Sequence, residues 1–186
     1  MKNYQIKKIL KNLAKNNIVI LGHMGSGKTI MGKIFAKKLN LRHFDSDQEI
    51  VKFTKKSINE IFSENGEKYF REIEQQIILN LIDKKNTILS LGGGSILNSQ
   101  IRNKLQEFSL TIFLDVNLNE LEKRLFKSNK RPLLNNVNIK NKIKELDTQR
   151  RKYYLRSDIK IKNTQSTINT YKNFIKEFSS LHEKNS

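Results

Sequence analysis

Gly22-His23-Met24-Gly25-Ser26-Gly27-Lys28-Thr29 is the stretch on which the reading of this chain turns. It fits G-x-x-x-x-G-K-[ST], a glycine-rich loop whose backbone N–H groups surround phosphate oxygens. Before it, Asn17-Ile18-Val19-Ile20-Leu21 is a short apolar, β-branched run, the pattern of a buried parallel strand. After it, residues 30–39 set Ile30, Ile34 and Phe35 among lysines at helical spacing. Strand, glycine turn and helix N-terminus together make an anion cradle in which the helix dipole adds to the N–H groups. There Lys28 would reach the β- and γ-phosphates and Thr29 would ligate Mg²⁺. A chance Lys-Thr after a glycine turn would need neither flank. The stretch therefore predicts binding of a nucleoside triphosphate.

Composition narrows the setting. A chain of 186 residues suggests one domain, large enough for a three-layer α/β core. There are no cysteines, so a disulfide framework and a thiolate metal site are both excluded. No apolar run approaches the roughly 20 residues needed to span a bilayer, and no membrane association is expected. Residues 1–15 are basic without an apolar h-region, which is not a secretory signal. They could form a short amphipathic helix with Ile6, Ile9, Leu10 and Leu13 on one face. The net charge of +18 invites a nucleic-acid reading. The excess is scattered lysine, however, accompanied by abundant asparagine and isoleucine and no aromatic-and-basic motif. Compositional drift accounts for that better, and no nucleic-acid partner is expected.

Four further apolar runs read as buried strands, at residues 41–44, 87–91, 110–114 and 159–161. Helical patterns separate them at 67–82, 118–126, 139–154 and 167–181. Alternation of this kind predicts a parallel sheet covered on both faces, with ligands at the carboxyl ends of its strands. The residues after each strand are therefore the ones to examine. After the second come Asp45-Ser46-Asp47-Gln48-Glu49, two carboxylates suited to a Mg²⁺-dependent phosphoryl transfer, or to capping a helix over 48–53. After the third come Gly92-Gly93-Gly94, which let the backbone approach a ligand closely. Between them, Arg71 stands next to Phe70 and three residues before Glu74, as a carboxylate-binding fork or as half of a helical ion pair. Lys130-Arg131-Pro132-Leu133-Leu134 holds the only proline and reads as a basic turn or as a lid bringing an arginine onto phosphates.

Taken together, these motifs resemble shikimate kinase. The matching segments are Gly-x-Met-Gly-Ser-Gly-Lys-Thr, Asp45-Ser46-Asp47-Gln48-Glu49-Ile50, Gly66-Glu67 with Phe70-Arg71-x-x-Glu74, Gly92-Gly93-Gly94-Ser95 and Arg131-Pro132-Leu133-Leu134. Their order and spacing match that family over roughly residues 16 to 183. The resemblance implies a three-layer α/β/α P-loop nucleotide kinase fold with a five-stranded parallel sheet. Residues 1–16 would be a basic leader and 17–183 a single kinase domain, with a substrate-binding segment near 46–75 and a lid near 127–139.

The implied activity is transfer of the ATP γ-phosphoryl group to the 3-hydroxyl of shikimate, on the route to chorismate, by a cytoplasmic monomer using ATP and Mg²⁺. By resemblance, Lys28, Asp47 and Arg131 are catalytic, Asp47 hydrogen-bonding the reacting hydroxyl with the role of base open to it. Gly25, Ser26, Gly27, Lys28, Thr29, Met31, Arg124, Arg131 and Gln165 would contact the nucleotide, Arg124 by stacking on adenine. Asp47, Arg71, Gly93, Gly94 and Arg150 would hold shikimate, both arginines gripping its carboxylate. Thr29 would ligate Mg²⁺, with Asp45 acting through water. Arg150-Arg151-Lys152-Tyr153-Tyr154 departs from the family's Arg-x-Pro-Leu-Tyr, so Arg151 stands as the alternative to Arg150. His23 occupies a position where proline is common and is expected to face solvent without chemical role.

Overall fold

The computed structural model describes residues 3–126, 138–163 and 166–184. Arg131, Gln165 and nearly all of the expected lid lie outside the described residues. The chain runs α1 (Asn3–Asn12), β1 (Asn17–Leu21), α2 (Lys28–Leu39), β2 (Arg42–Asp45), α3 (Ser46–Thr54), α4 (Ile58–Ile82) and β3 (Thr87–Ser90). A short 3₁₀ turn (Ser95–Leu97) precedes α5 (Ser99–Phe108), β4 (Ser109–Asp115) and α6 (Leu118–Phe126). The order closes with α7 (Ile139–Tyr154), β5 (Ile159–Lys162) and α8 (Thr167–Lys184).

All five strands are parallel, in the order β2-β3-β1-β4-β5. The expected three-layer α/β/α arrangement is present, and the central strand shows why. Successive side chains of a strand point to opposite faces, so Ile18 and Ile20 enter one apolar layer while Val19 and Leu21 enter the other. The first layer takes Met31, Phe35 and Leu39 from α2, Phe174 and Phe178 from α8, and Ile6, Ile9 and Leu10 from α1. The amphipathic pattern of residues 6–10 is thus satisfied by burial in the core. The second layer takes Ile78, Leu81 and Ile82 from α4, Ile101 and Leu105 from α5, and Tyr154 from α7.

The strand boundaries agree with the apolar runs to within a residue or so. Helix α5 has no counterpart in the sequence reading: its stripe rests on Ile101 and Leu105 amid polar residues, and Asn98 caps it through a bond from Ile101 N. Helix α4 starts earlier than the pattern suggested. Ser57 and Glu60 form a capping box, and the axis breaks at Gly66 (φ 80°, ψ 173°) before resuming. Residues on α3 and α4, Ile50, Ile61, Phe70 and Ile73, make their own small core that carries the segment beside the β2–β3 edge. Among the described residues no helix is long and apolar enough to cross a membrane.

Candidate active site

The ends of β1, β2 and β3 supply neighbouring residues of the site, and the end of β5 braces them. From β1, residues 22–27 turn over the sheet, and Gly27, with φ 89° and ψ 15°, enters α2 from the left-handed region that favours glycine. Lys28 Nζ folds back onto the loop, donating to the carbonyls of Gly22 (2.8 Å) and His23 (2.7 Å). Ser26 is fully buried, and Asn163, just past β5, donates to its carbonyl at 2.6 Å. Asn163 is in turn held by Thr170 Oγ1 at 2.9 Å. Thus β5 and α8 brace a loop that belongs to β1, a role that no motif around Asn163 advertised.

From β2, Asp45 does two jobs at once. Its Oδ1 accepts from the backbone N–H groups of Asp47 (3.1 Å) and Gln48 (3.3 Å), capping α3, while Oδ2 accepts from Thr29 Oγ1 at 2.5 Å. The helix cap that the sequence reading allowed is present, and the same carboxylate also meets the phosphate loop. A hydroxyl and a carboxylate in contact at the loop's end are hard oxygen donors, the set Mg²⁺ takes beside phosphates.

The glycines after β3 are fitted against charged side chains. A Cβ on Gly94 would lie 2.7 Å from two Arg71 nitrogens, and one on Gly92 would lie 2.8 Å from Glu74 Oε1 and 2.9 Å from Asp47 Oδ1. Gly93 sits between the phosphate loop and Arg150, and its carbonyl accepts from the Tyr154 hydroxyl at 2.6 Å. Arg71 forms the helical ion pair that its spacing allowed, and a second one beside it. Its NH1 meets Glu74 at 2.6 Å, and its NH2 and Nε meet Glu67 at 2.9 and 3.2 Å.

The electrostatics concentrate there. Burial lowers the Arg71 pKa, but Glu74 and Glu67 outweigh it and leave the guanidinium above its ordinary value. Burial pushes the Glu74 carboxyl upward; Arg71 opposes that, and nearby Asp47 adds to it. Arg150 is 3% exposed, and its Nε, fully buried, has no hydrogen-bond partner among the described residues. Burial lowers its pKa, and the like charge of Arg71 lowers it further. Two guanidiniums that repel each other beside an unpaired N–H form a site suited to a carboxylate.

Arg151 points elsewhere, 3.4 Å from both Asp115 and Asp147 and more exposed than Arg150. Arg124 lines a cleft of about 640 Å³ beyond the phosphate loop, held by Glu120 at 2.9 Å with NH1 3.5 Å from Gly25 O.

Two residues singled out in the sequence are buried, and for His23 this corrects the expectation. Met31 is 1% exposed and faces the first apolar layer with Phe35 and Leu39, because positions i, i+4 and i+8 share one helix face. His23 is 4% exposed, not solvent-facing: its Nε2 lies 2.8 Å from Asp147 Oδ1, and Tyr154 packs against its ring.

A parallel sheet led by a phosphate loop, with a carboxylate and two arginines gathered on the three glycines beside it, defines a P-loop small-molecule kinase. A family model described as shikimate kinase matches residues 24–179, and the chain belongs to the shikimate kinase family. It is 39% identical over 169 residues to the shikimate kinase of Bartonella quintana, covering 90% of this chain and 77% of that one. It is 42% identical over 154 residues to that of Rippkaea orientalis, covering 83% and 82%. A structure of shikimate kinase from Acinetobacter baumannii in complex with shikimate superposes with a TM-score of 0.85 at 28% identity, covering 94% of this chain and 98% of that one. A gluconokinase from Sinorhizobium meliloti shares the fold alone, with a TM-score of 0.60 at 14% identity over 92% of this chain and 95% of that one.

Proposed function

We propose that this protein transfers the γ-phosphoryl group of ATP to the 3-hydroxyl of shikimate, giving shikimate 3-phosphate and ADP. The observation that carries the reading is the convergence of Asp47, Arg71 and the buried Arg150 on Gly92–Gly94 beside the phosphate loop. Arg71 and Arg150 hold the acceptor's carboxylate, and Gly93 and Gly94 let its ring lie close to the backbone. That leaves a hydroxyl toward Asp47, which accepts its proton as the oxygen attacks phosphorus and the bond to the ADP oxygen breaks. Lys28 follows the β/γ-phosphate oxygens in place of the carbonyls of Gly22 and His23. Gly25, Ser26 and Gly27 offer backbone N–H groups, and Arg124 covers the adenine. Thr29 and Asp45 are the residues that would hold Mg²⁺, Asp45 through water, and the ion would neutralise charge on the phosphates. Arg131 and Gln165 keep the nucleotide roles that the family implies. The reading also makes the enzyme a monomer of the cytoplasm.

A coupled assay of ADP release in the presence of Mg²⁺ tests it. Shikimate should stimulate turnover strongly over the ATP-only rate. No stimulation, or stimulation by gluconate in its place, would overturn the assignment.

A further inference from the structure

The phosphate loop and α7 are joined by a contact that the chemistry above leaves unused. His23 presents its carbonyl to Lys28 Nζ at 2.7 Å and its ring Nε2 to Asp147 Oδ1 at 2.8 Å. With an ionised carboxylate as acceptor, Nε2 carries the proton. The ring also stands edge-on to Tyr154, centroids 5.0 Å apart at 84°. Tyr154 stacks on Phe113 of β4 at 5.1 Å and donates to Gly93 O. One loop residue therefore touches the catalytic lysine on one side and, through α7, the glycines of the acceptor site on the other.

Asp147 and Arg150 lie three residues apart and share a face of α7. The next loop residue, Met24, joins Leu146 of α7 in an apolar cluster. Arg150 bonds to Tyr154 of the same helix and lies beside Gly93, so its guanidinium is placed by where α7 sits.

We propose that His23 is a positioning residue, whose hydrogen bond to Asp147 docks α7 on the phosphate loop and so sets Arg150 against the acceptor's carboxylate. This rests on the role given to Arg150 above. The groups facing the ring are Asp147, Arg150 and Tyr154 from α7 and Lys28 from the loop. Burial is the main influence lowering the imidazole pKa; Asp147 opposes it, and Arg150 and Lys28 assist it. A neutral ring supplies a directed donor without adding a third positive charge.

The test varies both substrates in steady-state kinetics of His23→Phe, His23→Gln, Asp147→Ala and the double variant His23→Phe/Asp147→Ala, with melting temperatures alongside. Phenylalanine keeps a ring against Tyr154 but no donor; glutamine restores a donor. His23→Phe should raise the shikimate KM about tenfold while the ATP KM stays within about twofold, as expected for loss of one charge-assisted hydrogen bond. His23→Gln should recover most of that loss, and the double variant should be no worse than the worse single one. Four results would overturn the inference: an unchanged shikimate KM in His23→Phe, equal rises in both KM values with a lower melting temperature, no rescue by glutamine, or additive losses. Absence of shikimate turnover in the unsubstituted protein would overturn the functional reading and this inference with it. Normal turnover with any of the four results overturns this inference alone.

Discussion

Arg71 shows how much one side chain is asked to do. It is held by Glu67 and Glu74, lies against Gly94, and has Phe70 under its guanidinium at 5.1 Å. Replacing it with alanine removes the carboxylate fork and strands the buried Glu74. The expected result is a shikimate KM raised about 10- to 100-fold, from about 1.5–3 kcal/mol for a charged hydrogen bond. Lysine should not restore it, since a point charge cannot reproduce the fork. Gly94→Ala should act on the same constant from the other side, because its Cβ would meet the guanidinium at 2.7 Å. Steady-state kinetics on the three variants check both statements. At this scale the sequence was legible in placing residues together: Asp47, Arg71 and the glycines after β3, singled out by type and spacing, do converge beside the phosphate loop. It was illegible where the partner lay far along the chain. Nothing near His23 announces Asp147, 124 positions away, and Arg150 and Arg151 are told apart only by which way α7 turns them.

The elements that brace the site were harder to read than those that contain it. Asn163 lies just past a four-residue strand, yet it holds the Ser26 carbonyl and is itself held by α8. Asn163→Ala should raise the ATP KM severalfold and leave the shikimate KM nearly unchanged, which varying each substrate in turn would show. The strands and the helices with strong apolar stripes follow from periodicity. Helix α5 and the first part of α4 do not, since their ends are fixed by caps rather than by stripes. The Ser57–Glu60 capping box accordingly carries weight: Ser57→Ala should cost about 1 kcal/mol of stability, read from denaturant midpoints. It should spare catalysis, because the capped turn lies on the far side of the Gly66 break from Arg71.

Across the whole molecule, charge and burial set the response to solution conditions. With a net charge of +18, the ATP KM should rise with ionic strength as the field that gathers anions is screened. Stability should respond to acid through two histidines. Burial lowers the pKa of both His23 and His43 from the ordinary 6.5, though each has an aspartate opposing the shift. Below pH 6.5 the unfolded chain binds more protons at these sites than the folded one, so stability present above that pH is lost on acidification. His43→Gln should flatten the slope of melting temperature against pH on the acid side. Ile6, Ile9 and Leu10 of α1 lie in the same layer as Phe174 and Phe178 of α8. Leu10→Ala should therefore cost about 2–5 kcal/mol without altering either KM. That shared layer also imposes an order on biosynthesis. A chain emerging from the ribosome presents α1 and the β1 face long before α8 exists to cover them. Completion waits on the last helix, and a nascent chain arrested before Phe174 should be readily cleaved by protease even though its phosphate loop, Asp47 and both arginines have already been made.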